Sequence, residues 1–144
     1  FISRLYYTTD GVICAVWNGF FVIDTKKIYL AYVEGELKEE ITMSNMIDAD
    51  KKRKVKVLEE TGGYKTKLTP LSFKNGITFV RAEVENAARH QLRAYLAHIG
   101  HPIVGDDLYG NGGHDRIMLH CKETYANGFP GISKLTEDFI SFNK

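Results

Sequence analysis

The residues with the most evident chemistry are basic and lie in two parts of the chain. One part is the run Lys51-Lys52-Arg53-Lys54, with Lys56 just after it. Such a run is typical either of a solvated surface or of a contact with nucleic-acid phosphates. The other part is residues 89–93, whose two arginines and one histidine fall away from the apolar stripe of a predicted helix. Because the formal net charge is only +1, any nucleic-acid site must be a local patch of this kind.

The histidines and cysteines do not match a metal site. His98 and His101 lie three residues apart across a helix end, and His120 and Cys121 are adjacent, so they point opposite ways in a strand. The sequence also lacks the Gly-x-x-x-x-Gly-Lys and Gly-x-Gly-x-x-Gly patterns that cradle nucleotide phosphates. It therefore predicts no metal site and no nucleotide-phosphate loop.

Length and composition indicate one folded domain. The chain has 144 residues, of which 44% are hydrophobic and 26% are charged, so the disordered and collagen-like classes are excluded. The longest run without a charged residue or histidine, residues 11–23, is too short to cross a membrane. Two cysteines outside a Cys-x-x-Cys pair fit a reducing, cytoplasmic setting. The chain starts with Phe1 inside an apolar pattern, and we interpret this as a missing N-terminal part.

Strand patterns dominate the first part of the chain. Residues 27–33 alternate, which predicts Tyr29, Ala31 and Val33 on one face of a strand that ends at Gly35. Asn18-Gly19 predicts a hairpin within residues 11–23, and Asn75-Gly76 predicts one between residues 64–73 and 77–84. Gly62-Gly63 predicts a turn. Residues 43–60 are ambiguous, and we interpret them as a loop followed by a strand.

One helix is predicted after these strands. Asn86 can cap it and Gly100 can end it, with Pro102 just beyond. Its apolar positions recur at three- and four-residue spacing and are Ala88, Leu92, Tyr95, Leu96 and Ile99. Beyond the helix we predict a short strand at Ile103-Val104, a Gly-rich loop at residues 106–115, a buried strand at residues 117–121 and a C-terminal element at residues 135–142. Asp106 is expected to brace the loop by accepting hydrogen bonds from backbone amides.

The same helix and loop carry a family motif. Residues 89–110 read R-H-Q-L-R-A-Y-L-A-H-I-G-H-P-I-V-G-D-D-L-Y-G. This segment closely resembles the third motif of the RluA-type RNA pseudouridine synthases, H-Q-I-R-x-H-L-A-x-I-G-H-P-I-x-G-D-x-L-Y-G. Residues 27–35 resemble the family's K-x-Y-x-A-x-V-x-G strand, Thr66-x-Leu68 its T-x-L, and residues 118–121 its later L-H-A strand. The resemblance runs from Ile2 to about Pro130.

The resemblance implies conversion of a uridine in RNA to its C5-linked isomer, with no cofactor and no metal. It implies a flipped-out base and a carboxylate that acts at the sugar. By position, Arg93 matches the arginine that pairs with the catalytic aspartate, Tyr29 the tyrosine that stacks on the target base, and Arg4 the arginine that fills the space left by that base. Further contacts with ribosomal or transfer RNA are expected from the basic residues Arg89, Lys51, Lys52, Arg53 and Lys54.

The sequence departs from the family at the centre of this chemistry. Residues 2–11 align without a gap to V-H-R-L-D-x-x-T-S-G, which puts Ser3 at the histidine and Tyr6 at the catalytic aspartate. A tyrosine hydroxyl, with an ordinary pKa of about 10, is neutral at pH 7 and has no carboxylate oxygen. The change also removes the expected counterion of Arg93, so we expect another acceptor to compensate. Asp10 is one candidate if the loop is rebuilt.

These observations lead to one fold and three functions. We expect an α+β fold of the pseudouridine synthase type, with a mixed, mostly antiparallel sheet, a packed helix and a cleft beside Arg93 and Tyr29. Residues 1–144 are expected to be a single catalytic domain without the family's N-terminal strands. The functions are an RNA pseudouridine synthase impaired by Tyr6, a non-catalytic RNA-binding homologue, and a structural or partner-binding domain. Whether the chain is an enzyme, and its oligomeric state, stay open at this stage.

Overall fold

The computed structural model describes residues 9–13, 24–50 and 53–144, which build one seven-stranded sheet with a helix on each face. The elements in chain order are β1 (Asp10–Gly11), β2 (Thr25–Glu34), β3 (Ile41–Asp48), β4 (Lys56–Lys74), β5 (Ile77–Glu85), α1 (Gln91–His98), β6 (Leu119–Ala126), β7 (Phe129–Ile132) and α2 (Glu137–Ser141). The strand order is β1-β6-β2-β5-β4-β3, and β7 also pairs with β6. The β1–β6 pair is parallel and the other pairs are antiparallel. This confirms the predicted α+β class.

The two faces of the central strands bury different residues. On β2, Tyr29, Ala31 and Val33 pack in a core with Leu92 and other residues of α1. The opposite face carries Tyr32, which packs with Phe139 of α2 in a second core. The alternation predicted for residues 27–33 is confirmed, because neighbouring side chains of a strand point to opposite faces.

Two Asn-Gly turns connect neighbouring strands. Asn75 and Gly76, with φ of 54° and 74°, join β4 to β5, as predicted. Asn127 and Gly128, with φ of 49° and 84°, join β6 to β7 in the same way, a hairpin that the sequence analysis did not assign. The hairpin predicted at Asn18-Gly19 lies outside the described residues.

The hairpin of β3 and β4 corrects two predictions. Residues 41–48 form strand β3, although the start of the 43–60 segment was interpreted as a loop. Gly62-Gly63 is not a turn, because β4 runs through it and its pairing with β3 shifts on both sides of Asn45. Gly63 lies so close to the backbone carbonyl of Asn45 that a Cβ atom would collide with it. The missing Cβ therefore lets β4 pass close to β3 where their pairing shifts.

The main helix starts later than predicted and ends where predicted. Asn86 does not cap it. Its side-chain oxygen instead accepts hydrogen bonds from the backbone and hydroxyl of Thr25, and α1 begins at Gln91. At the other end Gly100, at φ 86°, donates to the carbonyl of Ala97, and His101 donates to that of Leu96. This glycine-terminated arrangement satisfies the last carbonyls of the helix.

The segment after α1 has its strands at other positions than predicted. Ile103 makes one isolated bridge with Val33, so Ile103-Val104 is not a strand. The predicted buried strand at residues 117–121 corresponds to β6, which starts at Leu119. The predicted C-terminal element is the short helix α2. Over the described ranges, no helix has the length and apolar character needed to cross a membrane.

Phe139 should contribute most of the binding energy of α2 to the sheet. Its ring is fully buried and lies 5.0 Å from the ring of Tyr32, whereas Phe129 on β7 is 75% exposed. Phe139→Ala should lower the free energy of unfolding by about 3–5 kcal/mol, because it leaves a cavity. Phe129→Ala, the control, should change it by less than about 0.5 kcal/mol. Urea unfolding measures both, and equal effects would contradict this assignment.

Candidate functional site

The guanidinium of Arg93 forms a buried ion pair with Asp106. Arg93 lies on α1, and its Nε and Nη2 atoms donate to the two carboxylate oxygens of Asp106 at 2.8 and 2.7 Å. The side chain of Asp106 is completely buried and that of Arg93 is 11% exposed. Two parallel charge-assisted hydrogen bonds of this kind fix the orientation of the guanidinium plane. Arg93 thus has a carboxylate partner, although not at position 6 or position 10.

The same carboxylate also organises the loop that follows Gly105. Asp106 Oδ1 accepts hydrogen bonds from the backbone amides of Leu108 and Tyr109, both at 3.0 Å. The predicted bracing role of Asp106 is therefore confirmed. Burial alone would raise the pKa of Asp106, but the Arg93 guanidinium and the two amides outweigh it, so the pKa is lowered. Asp106 is accordingly ionised at neutral pH.

Gly105 makes the burial of Asp106 geometrically feasible. Its φ is +80°, and a Cβ atom at this position would collide with the backbone carbonyl of Arg116. The chain can therefore turn sharply and pass close to the segment that leads into β6, with Asp106 directed at α1.

The basic loop between β3 and β4 is attached to the residue pair that precedes α1. Arg89 donates to the backbone carbonyls of Ala49 and Arg53 at 3.2 and 3.4 Å. Lys54 Nζ lies 6.0 Å from the ring centroid of Tyr109, and the Arg93 guanidinium carbon lies 5.2 Å from the same centroid. Lys54 of the loop and Arg93 therefore lie at the same aromatic ring.

Tyr29 lies on the sheet face that α1 covers. Its ring is buried, at 6% exposure, among core residues that include Leu92 and Tyr95. The Tyr95 hydroxyl in turn donates to the backbone carbonyl of Asn45, which holds the β3–β4 hairpin against the helix. The strand, the helix and the hairpin together form the surroundings of the site.

Not all of the sequence-predicted site residues can be placed. Arg93, Arg89, Lys54 and the backbone of Arg53 come together near the amino end of α1, and Tyr29 lies on the same face of the sheet. The remaining predicted residues, Arg4, Tyr6, Lys51 and Lys52, lie outside the described ranges.

Asp10 is not the partner of Arg93. Its carboxylate accepts two hydrogen bonds from Arg116, at 2.8 and 2.9 Å, lies 2.7 Å from His120 Nδ1, and accepts one from the Thr136 hydroxyl at 2.9 Å. Burial opposes ionisation here, but Arg116, His120 and Thr136 outweigh it and lower the pKa of Asp10. This cluster ties β1 to β6 and to the start of α2.

Two roles at the site were not predicted from the sequence. Asp106 was expected to contact only the backbone, and Tyr109 was not among the predicted site residues. The three-residue spacing of Asp106 and Tyr109 is the signal for the amide contact, because a short acidic side chain reaches an amide two or three residues ahead. Within the described residues, no group of three or more His, Cys, Asp or Glu side chains could hold a metal ion.

The comparisons with known proteins point to one family. An uncharacterised RNA pseudouridine synthase of Helicobacter pylori J99 is 35% identical over 142 residues, covering 89% of this chain and 59% of that protein. The dual-specificity RNA pseudouridine synthase RluA of Vibrio cholerae is 35% identical over 139 residues, covering 85% and 57%. The chain thus spans somewhat more than half the length of these two relatives. No family model matches it.

A solved structure supports the fold. The structure of human RNA pseudouridylate synthase domain containing 1 superposes with a TM-score of 0.60 at 24% sequence identity, covering 80% of this chain and 56% of that one. At this level of identity the superposition supports the architecture of the sheet and its helices.

The Arg93–Asp106 ion pair should be a large contributor to stability. Asp106→Asn removes the charge and leaves the buried guanidinium without its carboxylate, so the free energy of unfolding should fall by about 3 kcal/mol. Asp107 is exposed and adjacent, and Asp107→Asn should change it by less than about 0.5 kcal/mol. Chemical denaturation at pH 7 compares the two, and a small effect at position 106 would argue against the pair.

The contribution of Asp106 should depend on pH. Its pKa is lower in the folded protein than in the unfolded chain, so its contribution is complete above the unfolded value of about 4 and is lost as the pH falls through the folded value. The difference in unfolding free energy between the unaltered protein and Asp106→Asn should therefore be constant from about pH 7 to 5 and shrink below about pH 4. A difference that grows on acidification would contradict the lowered pKa.

Proposed function

The chain belongs to the RNA pseudouridine synthase family, and from that premise we propose that it binds RNA at the amino end of α1 and at the β3–β4 loop. The loop supplies Arg53 and Lys54, together with Lys51 and Lys52 in the sequence. Cations close to a fixed guanidinium suit the phosphate backbone of RNA, which dominates the affinity of such complexes.

One observation carries this proposal. Arg89, directly before the first residue of the family motif, donates hydrogen bonds to two carbonyls of the basic loop, Ala49 and Arg53. The cations are thereby connected to the motif helix, whereas a basic run on a solvated surface needs no such connection. This supports the nucleic-acid interpretation of the run over the solvated-surface interpretation.

We propose that the reaction is uridine isomerisation and that it requires a carboxylate able to act at the sugar. Asp106 is completely buried and its oxygens accept four hydrogen bonds, so it is a poor nucleophile and a poor base. Asp10 is occupied by Arg116, His120 and Thr136. Neither carboxylate suits an attack on the sugar of a uridine. By the resemblance to the family, turnover would depend on position 6, where the sequence has a tyrosine in place of the family's aspartate.

The remaining site residues receive roles that follow from the family. Arg93 would present its positive charge beside the reacting nucleotide, Tyr29 would form the floor of the base pocket from β2, and Arg4 would fill the space left by the flipped base. We propose that residues 1–144 act as one domain, because both cores pack on the same sheet. The substrate would be a ribosomal or transfer RNA of the cytoplasm.

Restoring a carboxylate at position 6 tests the reaction. The chain with Tyr6 should form no pseudouridine on bulk cellular RNA, and Tyr6→Asp should form it, because only the latter offers an ionised carboxylate at pH 7. Chromatography of the digested nucleosides measures the product. Tyr7→Asp, which adds the same charge one residue away, should remain inactive.

Two outcomes would contradict this account. Pseudouridine formed by the chain with Tyr6 would show that turnover does not require a carboxylate at this position. Inactivity of Tyr6→Asp, in a protein that still binds RNA, would show that the pocket does not perform the isomerisation.

The salt dependence of RNA binding tests the interface. The affinity for single-stranded RNA should fall steeply with salt, and Lys54→Ala should reduce the slope of log K against log[salt] by about 0.7–0.9, the loss of one phosphate contact. Lys38, whose side chain is 75% exposed in the β2–β3 connection, provides the matched control, and Lys38→Ala should leave the slope unchanged. Fluorescence anisotropy measures the affinities. Equal slopes for all three proteins would exclude the β3–β4 loop from the interface.

A further inference from the structure

Tyr109 contacts several parts of the site, although the proposed function gives it no role. It lies in the loop after Asp106, and its backbone amide donates to Asp106 Oδ1 at 3.0 Å. Its ring has the Arg93 guanidinium carbon 5.2 Å from the centroid and Lys54 Nζ at 6.0 Å. The attraction of a cation to the face of an aromatic ring favours both placements. One residue thus contacts the ion pair and the basic loop.

The hydroxyl of Tyr109 makes two further contacts. It accepts a hydrogen bond from the backbone amide of Val55 at 2.9 Å, where the basic loop enters β4. It also lies 2.8 Å from Nδ1 of His90, the residue directly before α1. Because Val55 uses an oxygen lone pair, the single hydroxyl proton can be donated to His90 Nδ1. This direction of the hydrogen bond corresponds to a neutral His90 with its ring proton on Nε2.

The surroundings of His90 agree with this proton assignment. Burial lowers the pKa of His90, and the charges of Arg93 and Arg89 lower it further, with Asp106 acting in the opposite sense. The backbone of His90 is left-handed, with φ 58°, and its ring meets the ring of Tyr109 edge-on at 5.5 Å. A non-glycine residue in this conformation needs support from its neighbours, and the Tyr109 contact provides it.

We propose that Tyr109 is a positioning residue that joins the Arg93–Asp106 ion pair to the basic β3–β4 loop through its hydroxyl bonds to Val55 and His90. This inference rests on the proposed function, because the loop and Arg93 then meet RNA in a fixed relative geometry. Tyr109 itself needs no contact with the nucleotide. Packing alone would need only the ring, which phenylalanine also has, so the hydroxyl distinguishes positioning from packing.

Tyr109→Phe tests the proposal without RNA. The ring and its cation contacts are kept, while the Val55 amide loses its acceptor, so its hydrogen exchange should become about 3- to 10-fold faster. The pKa of His90, followed by NMR of its ring nitrogens, should rise, because the neutral form loses its hydrogen bond. Tyr125→Phe, on β6 and outside the site, is the control and should change neither quantity. Unchanged exchange and unchanged titration in Tyr109→Phe would overturn the proposal.

RNA binding tests the consequence of this positioning. Tyr109→Phe should weaken binding of single-stranded RNA by about 3- to 10-fold, because the basic loop is then no longer held in a fixed place relative to Arg93. An unchanged affinity would contradict the positioning role. Failure of the unaltered protein to bind RNA would overturn the proposed function, whereas the exchange and titration results would still decide the role of Tyr109.

Discussion

The bidentate ion pair between Arg93 and Asp106 is the interaction on which the rest of the site depends. It joins the helix that carries the family motif to the loop that follows it, and its carboxylate also holds two amides of that loop. A buried charge is costly unless its partner is placed well, so each half of the pair constrains the position of the other. The orientation of the guanidinium is thereby fixed before any ligand arrives.

The two faces of the sheet pack on different helices, and only one of them supports the site. One face of β2 and β5 packs on α1 and supports the site, and the other packs on the aromatic side chain of Phe139. The Asp10 cluster lies apart from the ion pair and secures β1 against β6 and α2. Asp10 and Asp106 therefore have different partners, and they stabilise two different parts of the fold.

Local patterns in the sequence predicted much of the fold. The alternation of residues 27–33 and the Asn75-Gly76 turn depend on neighbouring residues alone, and both are confirmed. Strand β3 and the course of β4 through Gly62-Gly63 depend on pairing between strands, which propensity does not specify. Asn86 has the residue type of a helix cap, yet its side chain found a partner in Thr25, 61 residues away.

At the site, too, local patterns were predictable from the sequence and long-range contacts were not. The motif identified Arg93 and the family, and a short-range rule identified the loop contacts of Asp106. The pairing of these two residues, 13 positions apart, depends on how the chain turns at Gly105, so the sequence indicated Asp10 as a candidate counterion instead. The central position of Tyr109 likewise depends on the β3–β4 loop reaching α1, a tertiary contact that no local pattern contains.

An NMR titration of the Asp106 carboxyl carbon, in the unaltered protein and in Arg93→Gln, tests the Arg93–Asp106 ion pair most directly. We expect a midpoint below the ordinary aspartate value of about 4 in the unaltered protein, and a clear rise when the guanidinium is removed, because burial then acts without its main opponent. A midpoint that is the same in both proteins would show that Arg93 is not the counterion of Asp106.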